Sequence, residues 1–101
     1  MTREEIVAKI NQRRRQIAVH SVIYYRFNDN IIDDHTYDRW SKELAELQKA
    51  FPYYSAEVDM YDRFKDFDGS TGYHLIDIPW AVGKAEQLLR LHKERKNNGK
   101  Y

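Results

Sequence analysis

The sequence predicts a mainly α-helical domain: an antiparallel helical hairpin, a short third helix and a C-terminal helix. Three observations predict it. Two long stretches, residues 3–27 and 34–51, repeat apolar residues every three or four positions without an internal Gly or Pro, the spacing that buries one face of a helix. Between them stands a polar turn, Asn28-Asp29-Asn30, short enough to bring the two helices back antiparallel. Beyond Pro52 the helical spacing returns twice more, around Met60–Phe64 and again from Ile78 onward.

Each element has its own signals. Thr2 followed by Glu5 forms a capping box, and Ile6, Val7, Ile10, Ile17, Val22 and Ile23 carry a first helix from about Arg3 to about Phe27. Ile31-Ile32 pins the loop to the core before Asp33 or Asp34 caps the second helix. In that helix Tyr37, Trp40, Leu44, Leu47 and Phe51 form a regular stripe, and Pro52 ends it. Met60, Tyr61 and Phe64 place a third helix over about Ser55–Lys65. Asp66–Gly72 reads as a loop. Asp77 is the expected N-cap of the last helix, with Pro79 in its first turn and Ile78, Ala81, Val82, Ala85, Leu88, Leu89 and His92 facing inward. The basic, apolar-poor stretch 94–101 is expected to fray.

A chain of 101 residues is read as a single domain, 1–101, with room for one modest core. Its 42% hydrophobic and 33% charged residues are those of a soluble globular protein, and a net charge of +1 gives nucleic acid no global electrostatic pull. A third reading, nucleic-acid binding through Arg13–Arg15 and the basic tail, has that balance against it. Without cysteine there is neither disulfide nor thiol nucleophile. The charged N-terminus is no signal peptide and no apolar run approaches membrane length, so the expected location is the cytoplasm. Fourteen per cent of the residues are aromatic, eight of them Tyr, which suits a stacking pocket or a partner surface.

The stretch from Tyr24 to Leu47 organises the rest. Two tyrosines end the first helix and a carboxylate-bearing turn opens the second, so Tyr24, Tyr25, Asp34, Tyr37 and Asp38 can converge on one small volume. Rings and carboxylates at a helix start could seat a flat cationic or nucleotide-like ligand. Fold maintenance explains the same residues as well: Asp34 as a cap, Tyr37 as the start of the stripe, and one of the adjacent tyrosines turned inward because helix neighbours point about 100° apart.

These residues resemble the N-terminal Ia domain of the bacterial NAD-dependent DNA ligases, whose pattern is roughly Y-[YH]-x-x-D-x-P-x-x-x-D-x-x-Y-D followed by R-L-x-x-E-L-x-x-L. Tyr24, Tyr25, Asp34, Tyr37 and Asp38 fit its spacing, and Arg39, Glu43, Leu44, Leu47 and Phe51-Pro52 continue the match. Asn28 replaces the usual Asp and Asn30 the usual Pro. The resemblance divides the domain into a ligase Ia-like hairpin, 1–52, and a helical extension, 53–101. It implies that the five residues bind the nicotinamide mononucleotide (NMN) half of NAD, with a tyrosine stacked on the pyridinium, the carboxylates on the carboxamide or ribose, and the Tyr37 hydroxyl completing the pocket. An isolated half-site of this kind should bind at micromolar affinity or weaker.

Lys65-Asp66-Phe67-Asp68-Gly69 is one residue too long for the K-x-D-G adenylation motif and reads as a solvent loop; without that nucleophile the chain is not expected to be an enzyme. His20, His35, His74 and His92 share no ligand spacing, so no metal site is expected. His35, inside the acidic cap, is the one placed to titrate against Asp34 or Asp38. Arg13, Arg14 and Arg15 spread round a helical turn, which favours a solvated face with one arginine paired to a carboxylate, although one could reach a nucleotide phosphate.

The sequence therefore reads first as a non-catalytic module binding NMN or NAD. A free-standing domain of this size also resembles small proteins carried by phages and integrated mobile elements, which implies a phage or prophage origin. The alternative is a protein-interaction module or inhibitor acting on a host ligase, NAD-handling or defence protein.

Overall fold

In the computed structural model, which describes residues 1–98 and the side chains of 1–95, the chain forms five helices and no strand among the described residues. Helix α1 spans Arg3–Ser21 and runs directly into a π-helical turn, Val22–Arg26. Helix α2 spans Asp34–Ala50, α3 Pro52–Glu57, α4 Tyr61–Phe64 and α5 Pro79–Asn98, with a 3-10 turn at Tyr73–Leu75.

Helix α1 starts where Thr2 Oγ1 accepts the Glu5 N–H at 3.2 Å. It is the central element, in contact with α2, α3, α5 and the 3-10 turn. Ile6, Ile10, Ile17, Ala18, Val19, Val22 and Ile23 are all buried there. Helix α2 returns antiparallel after a short loop, capped by Asp33, whose carboxylate accepts the Thr36 N–H at 2.7 Å. Arg13 closes the hairpin: its Nε donates to Glu43 Oε2 at 3.1 Å and its guanidinium lies 5.2 Å from the Trp40 ring.

Arg14 departs from the solvated reading. It is fully buried, and no carboxylate pairs with it among the described residues. Its Nε donates to Gln48 Oε1 at 2.9 Å, and its two terminal nitrogens donate to the carbonyls of Ser55, Val58 and Asp59 and to Ser55 Oγ at 2.6–3.1 Å. Burial pushes its pKa down to about 10, still charged at neutral pH.

That guanidinium accounts for the largest change from the expected helix over Ser55–Lys65. Pro52 does not merely stop α2; it is the first residue of α3, where its missing N–H is no loss. The helix then breaks: Val58 is extended and Met60 sits at φ +68°, a left-handed conformation that non-glycine residues seldom take. In an unbroken helix the Ser55, Val58 and Asp59 carbonyls would accept from residues four ahead. Here Arg14 donates to all three, and the Ser55 carbonyl also accepts the Val58 N–H at 3.3 Å.

The second half wraps this hairpin. The segment expected to be a solvent loop at 65–69 is anchored: Phe67 is buried with its ring 5.5 Å from that of Phe64, and Gly69, at φ +87°, packs on the backbone of Ser41. Helix α5 packs Ala81, Ala85 and Leu89 into the core, with Ile78 before its first turn. Pro79 is its first residue and the Ile78 carbonyl accepts the Val82 N–H, so Ile78 occupies the cap position expected of Asp77. The Asp77 carboxylate instead pairs with Arg63, which holds it below the usual carboxylate range. Of the stretch 94–101 expected to fray, α5 continues through Asn98 and residues 99–101 lie outside the described residues.

Candidate functional site

The π-helical turn places the first side chains. Its wider winding shows in the Phe27 N–H donating to the Val22 carbonyl, five residues back, and the Asp29 N–H to that of Ile23, six back. Such turns insert an extra residue into a helix and re-aim the side chains beyond it. Tyr24 and Tyr25, adjacent in sequence, both reach one hollow, packed edge to face with centroids 4.8 Å apart. Tyr24 is half exposed. Tyr25 is held from the far side: its hydroxyl lies 3.2 Å from Thr71 Oγ1 and its ring meets Tyr73 edge-on at 5.6 Å.

The loop between the turn and α2 uses both departures from the ligase pattern. Asn28 adopts φ +54°, which asparagine tolerates better than most residues. The Asn30 N–H donates to Asp29 Oδ1 at 2.7 Å, a bond that proline could not make. Ile31 and Ile32 then line the hollow. Across from the tyrosines, Asp34 and Asp38 lie one helical turn apart on α2 and so share a face, with Tyr37 beside them. Both carboxylates are exposed and take part in no hydrogen bond or ion pair among the described residues.

The result is a pocket of about 220 Å³. All five residues singled out from the sequence, Tyr24, Tyr25, Asp34, Tyr37 and Asp38, line it. Neither Tyr73 nor Trp80 fills it; Tyr73 packs on Tyr25, and Trp80 lies under the Arg15 guanidinium at 4.9 Å. The Tyr37 hydroxyl does not point free into solvent: it is 2.8 Å from Ser21 Oγ, and burial raises its pKa. Gly72 presses on this hydroxyl pair from the C-terminal half, and Ser70 contributes to the wall.

Sequence reasoning missed His20, Ile23, Asn30, Ile31, Ile32 and Ser70 as lining residues. His20 had a signal, since it lies four residues before Tyr24 on the same helical face. Its ring packs 5.8 Å from that of Trp40, and burial lowers its pKa, leaving it neutral at pH 7. His35, the histidine expected to titrate against the acidic cap, is exposed and outside the lining. None of Arg13, Arg14 and Arg15 lines the pocket.

His20 also makes folding stability depend on pH. Because the unfolded chain takes up this proton more readily, its contribution to stability is complete above about pH 6.5 and is lost as pH falls through the folded-state value. Asp34, Asp38, Tyr24, Tyr25 and Tyr37 share the pocket with it; Asp33, Asp68 and Asp77, whose pKa values are also lowered, act only in a more acidic window. The wild type should therefore lose more thermal stability between about pH 7 and 5 than His20→Gln. Equal losses in the two proteins would remove His20 from the account.

The family model described as the DNA ligase-like, N-terminal NAD+-binding domain matches residues 3–58. Among curated proteins, the DNA ligase of Pseudothermotoga lettingae is 43% identical over 49 residues, 48% of this chain and 7% of that ligase. The DNA ligase of Desulforudis audaxviator is 40% identical over 52 residues, 52% of this chain and 8% of the ligase. The DNA ligase of Thermotoga maritima is 35% identical over 49 residues, with 48% and 7% covered. The chain thus spans less than a tenth of the length of these relatives. No solved structure gives a significant match. All the pocket residues except Ser70 fall inside the matched span.

Proposed function

The chain belongs to the DNA ligase-like N-terminal NAD+-binding domain family, and from that premise we propose that it is a binding module for the nicotinamide half of NAD. The observation that carries this reading is the pocket itself. Two tyrosines from one helix end and two unpaired carboxylates from the next helix start face a space of about 220 Å³. A pyridinium stacked on a tyrosine ring gains about 0.5–2 kcal/mol from the ring quadrupole, and carboxylates accept from the carboxamide N–H or ribose hydroxyls. Tyr24, half exposed, is free to move onto a ligand; Tyr25, tied to Thr71 and Tyr73, forms the fixed wall.

The module binds without making or breaking bonds. Lys65 lies outside the pocket, and no lysine or cysteine lines it among the described residues. Affinity is modest, micromolar or weaker, because a few contacts must offset several kcal/mol of lost ligand freedom.

Titrating NMN onto the folded protein tests the proposal. Asp34→Ala, which removes a charged acceptor, and Tyr24→Ala, which removes the movable ring, should each weaken NMN binding by roughly tenfold. Both should keep a melting temperature within about 3 °C of wild type, since both side chains are exposed. Full retention of NMN affinity in both variants would dismiss the site. A protein indifferent to NMN that captures a host protein would instead favour the interaction-module alternative.

A further inference from the structure

The pocket carries two carboxylates and, among its described lining residues, no formal positive charge. Asp34 and Asp38 are its acidic groups, and His20 is held neutral by burial. The arginines on the first helix have other partners. Arg13 binds Glu43, Arg14 is buried against Gln48 and three carbonyls, Arg15 pairs with Asp59 at 3.6 Å, and Arg26 donates to the Ile76 carbonyl at 3.1 Å. The opening N–H groups of α2 are another natural place for an anion, but the Asp33 carboxylate already stands there on the Thr36 N–H. Arg39 is exposed and does not line the pocket. At about 220 Å³ the space is also smaller than the roughly 300–1,000 Å³ of pockets that enclose a whole drug-sized ligand.

We infer that this site recognises the cationic N-ribosyl-nicotinamide unit and leaves the 5′-phosphate in solvent, so that nicotinamide riboside binds at least as tightly as NMN. The inference rests on the nicotinamide reading of the pocket and narrows it. Ring and ribose meet the tyrosines and carboxylates. A phosphate dianion finds no cation there, only neutral donors such as the Tyr24 and Ser70 hydroxyls and the Asn30 amide, and it stands near two like charges, a repulsion that salt screens within about 10 Å.

The test is a titration of the whole chain with nicotinamide riboside, NMN and ribose 5-phosphate, at low and at high salt, read by amide chemical shifts. At low salt the riboside should bind between equally and about fivefold more tightly than NMN. At high salt the two affinities should converge, and ribose 5-phosphate should leave the Asp33–Asp38 amides unmoved. NMN binding more than about threefold tighter than the riboside, or shifts at those amides from ribose 5-phosphate, would overturn the inference while leaving the nucleotide site standing. In that case Arg39→Ala would show whether that exposed guanidinium is the phosphate partner. If neither NMN nor the riboside moves any amide, the nicotinamide reading and this inference fall together.

Discussion

Replacing Arg14 with alanine is expected to cost about 3–5 kcal/mol of folding stability, a large share of the roughly 5–15 kcal/mol available to a domain of this size. The variant removes five hydrogen bonds at once and takes this donor from the Val58 and Asp59 carbonyls, while the Ser55 carbonyl keeps only the Val58 N–H at 3.3 Å. Each buried acceptor left unpaired costs about 1–3 kcal/mol, reduced where water enters the space. The break between α3 and α4 depends on the same group, because Met60, the left-handed N-cap of α4, makes no side-chain capping bond. Arg15→Ala is the control: it removes an exposed ion pair at 3.6 Å and should cost less than about 1 kcal/mol. Thermal melts should place Arg14→Ala at least about 12 °C below wild type and the control within a few degrees. A melting temperature for Arg14→Ala like that of the control would show that the guanidinium does not hold the turn.

Gly72→Ala is the second large effect, and it links the extension to the pocket. A Cβ there would fall inside the van der Waals envelopes of Ser21 Oγ and the Tyr37 hydroxyl, and 3.0 Å from Ser21 Cβ. Ser21 is fully buried on α1, so the 70–73 segment must move instead. Overpacking of this kind costs about 1–3 kcal/mol, and here it also pulls Thr71 and Tyr73 away from Tyr25 and Ser70 from the wall. Stability and NMN affinity should therefore fall together. Removing the Ser21 hydroxyl in the same molecule should bring the combined cost below the sum of the two singles, since they share one space. Strict additivity, or an affinity loss without a stability loss, would contradict this packing.

The hairpin was legible because its signals are local and agree. Thr2 and Asp33 cap where their side chains can accept, the apolar stripes keep helical period, and Asn28-Asp29-Asn30 turns the chain. The meeting of Tyr24 and Tyr25 with Asp34, Tyr37 and Asp38 starts from that hairpin, and Thr71 and Tyr73 of the extension hold Tyr25 in it. The features that escaped the sequence depend on distant partners. A guanidinium within an Arg-Arg-Arg run looks solvated until the carbonyls of residues 55, 58 and 59 are known to surround it. The break at Met60 has no glycine to announce it. The π-helical turn has no local signature among Val22–Arg26. Gly72 and Ser70 matter only because the extension folds back on Ser21 and Tyr37.

A parallel NMR titration of the wild-type chain with NMN, NAD and AMP tests nicotinamide recognition at this pocket. NMN and NAD should shift one common set of amides, around Tyr24, Tyr25, Asp34 and Asp38, and AMP, which lacks the pyridinium, should shift none. AMP moving those amides as strongly as NMN, or NMN leaving them still in a protein that remains folded, would contradict that recognition.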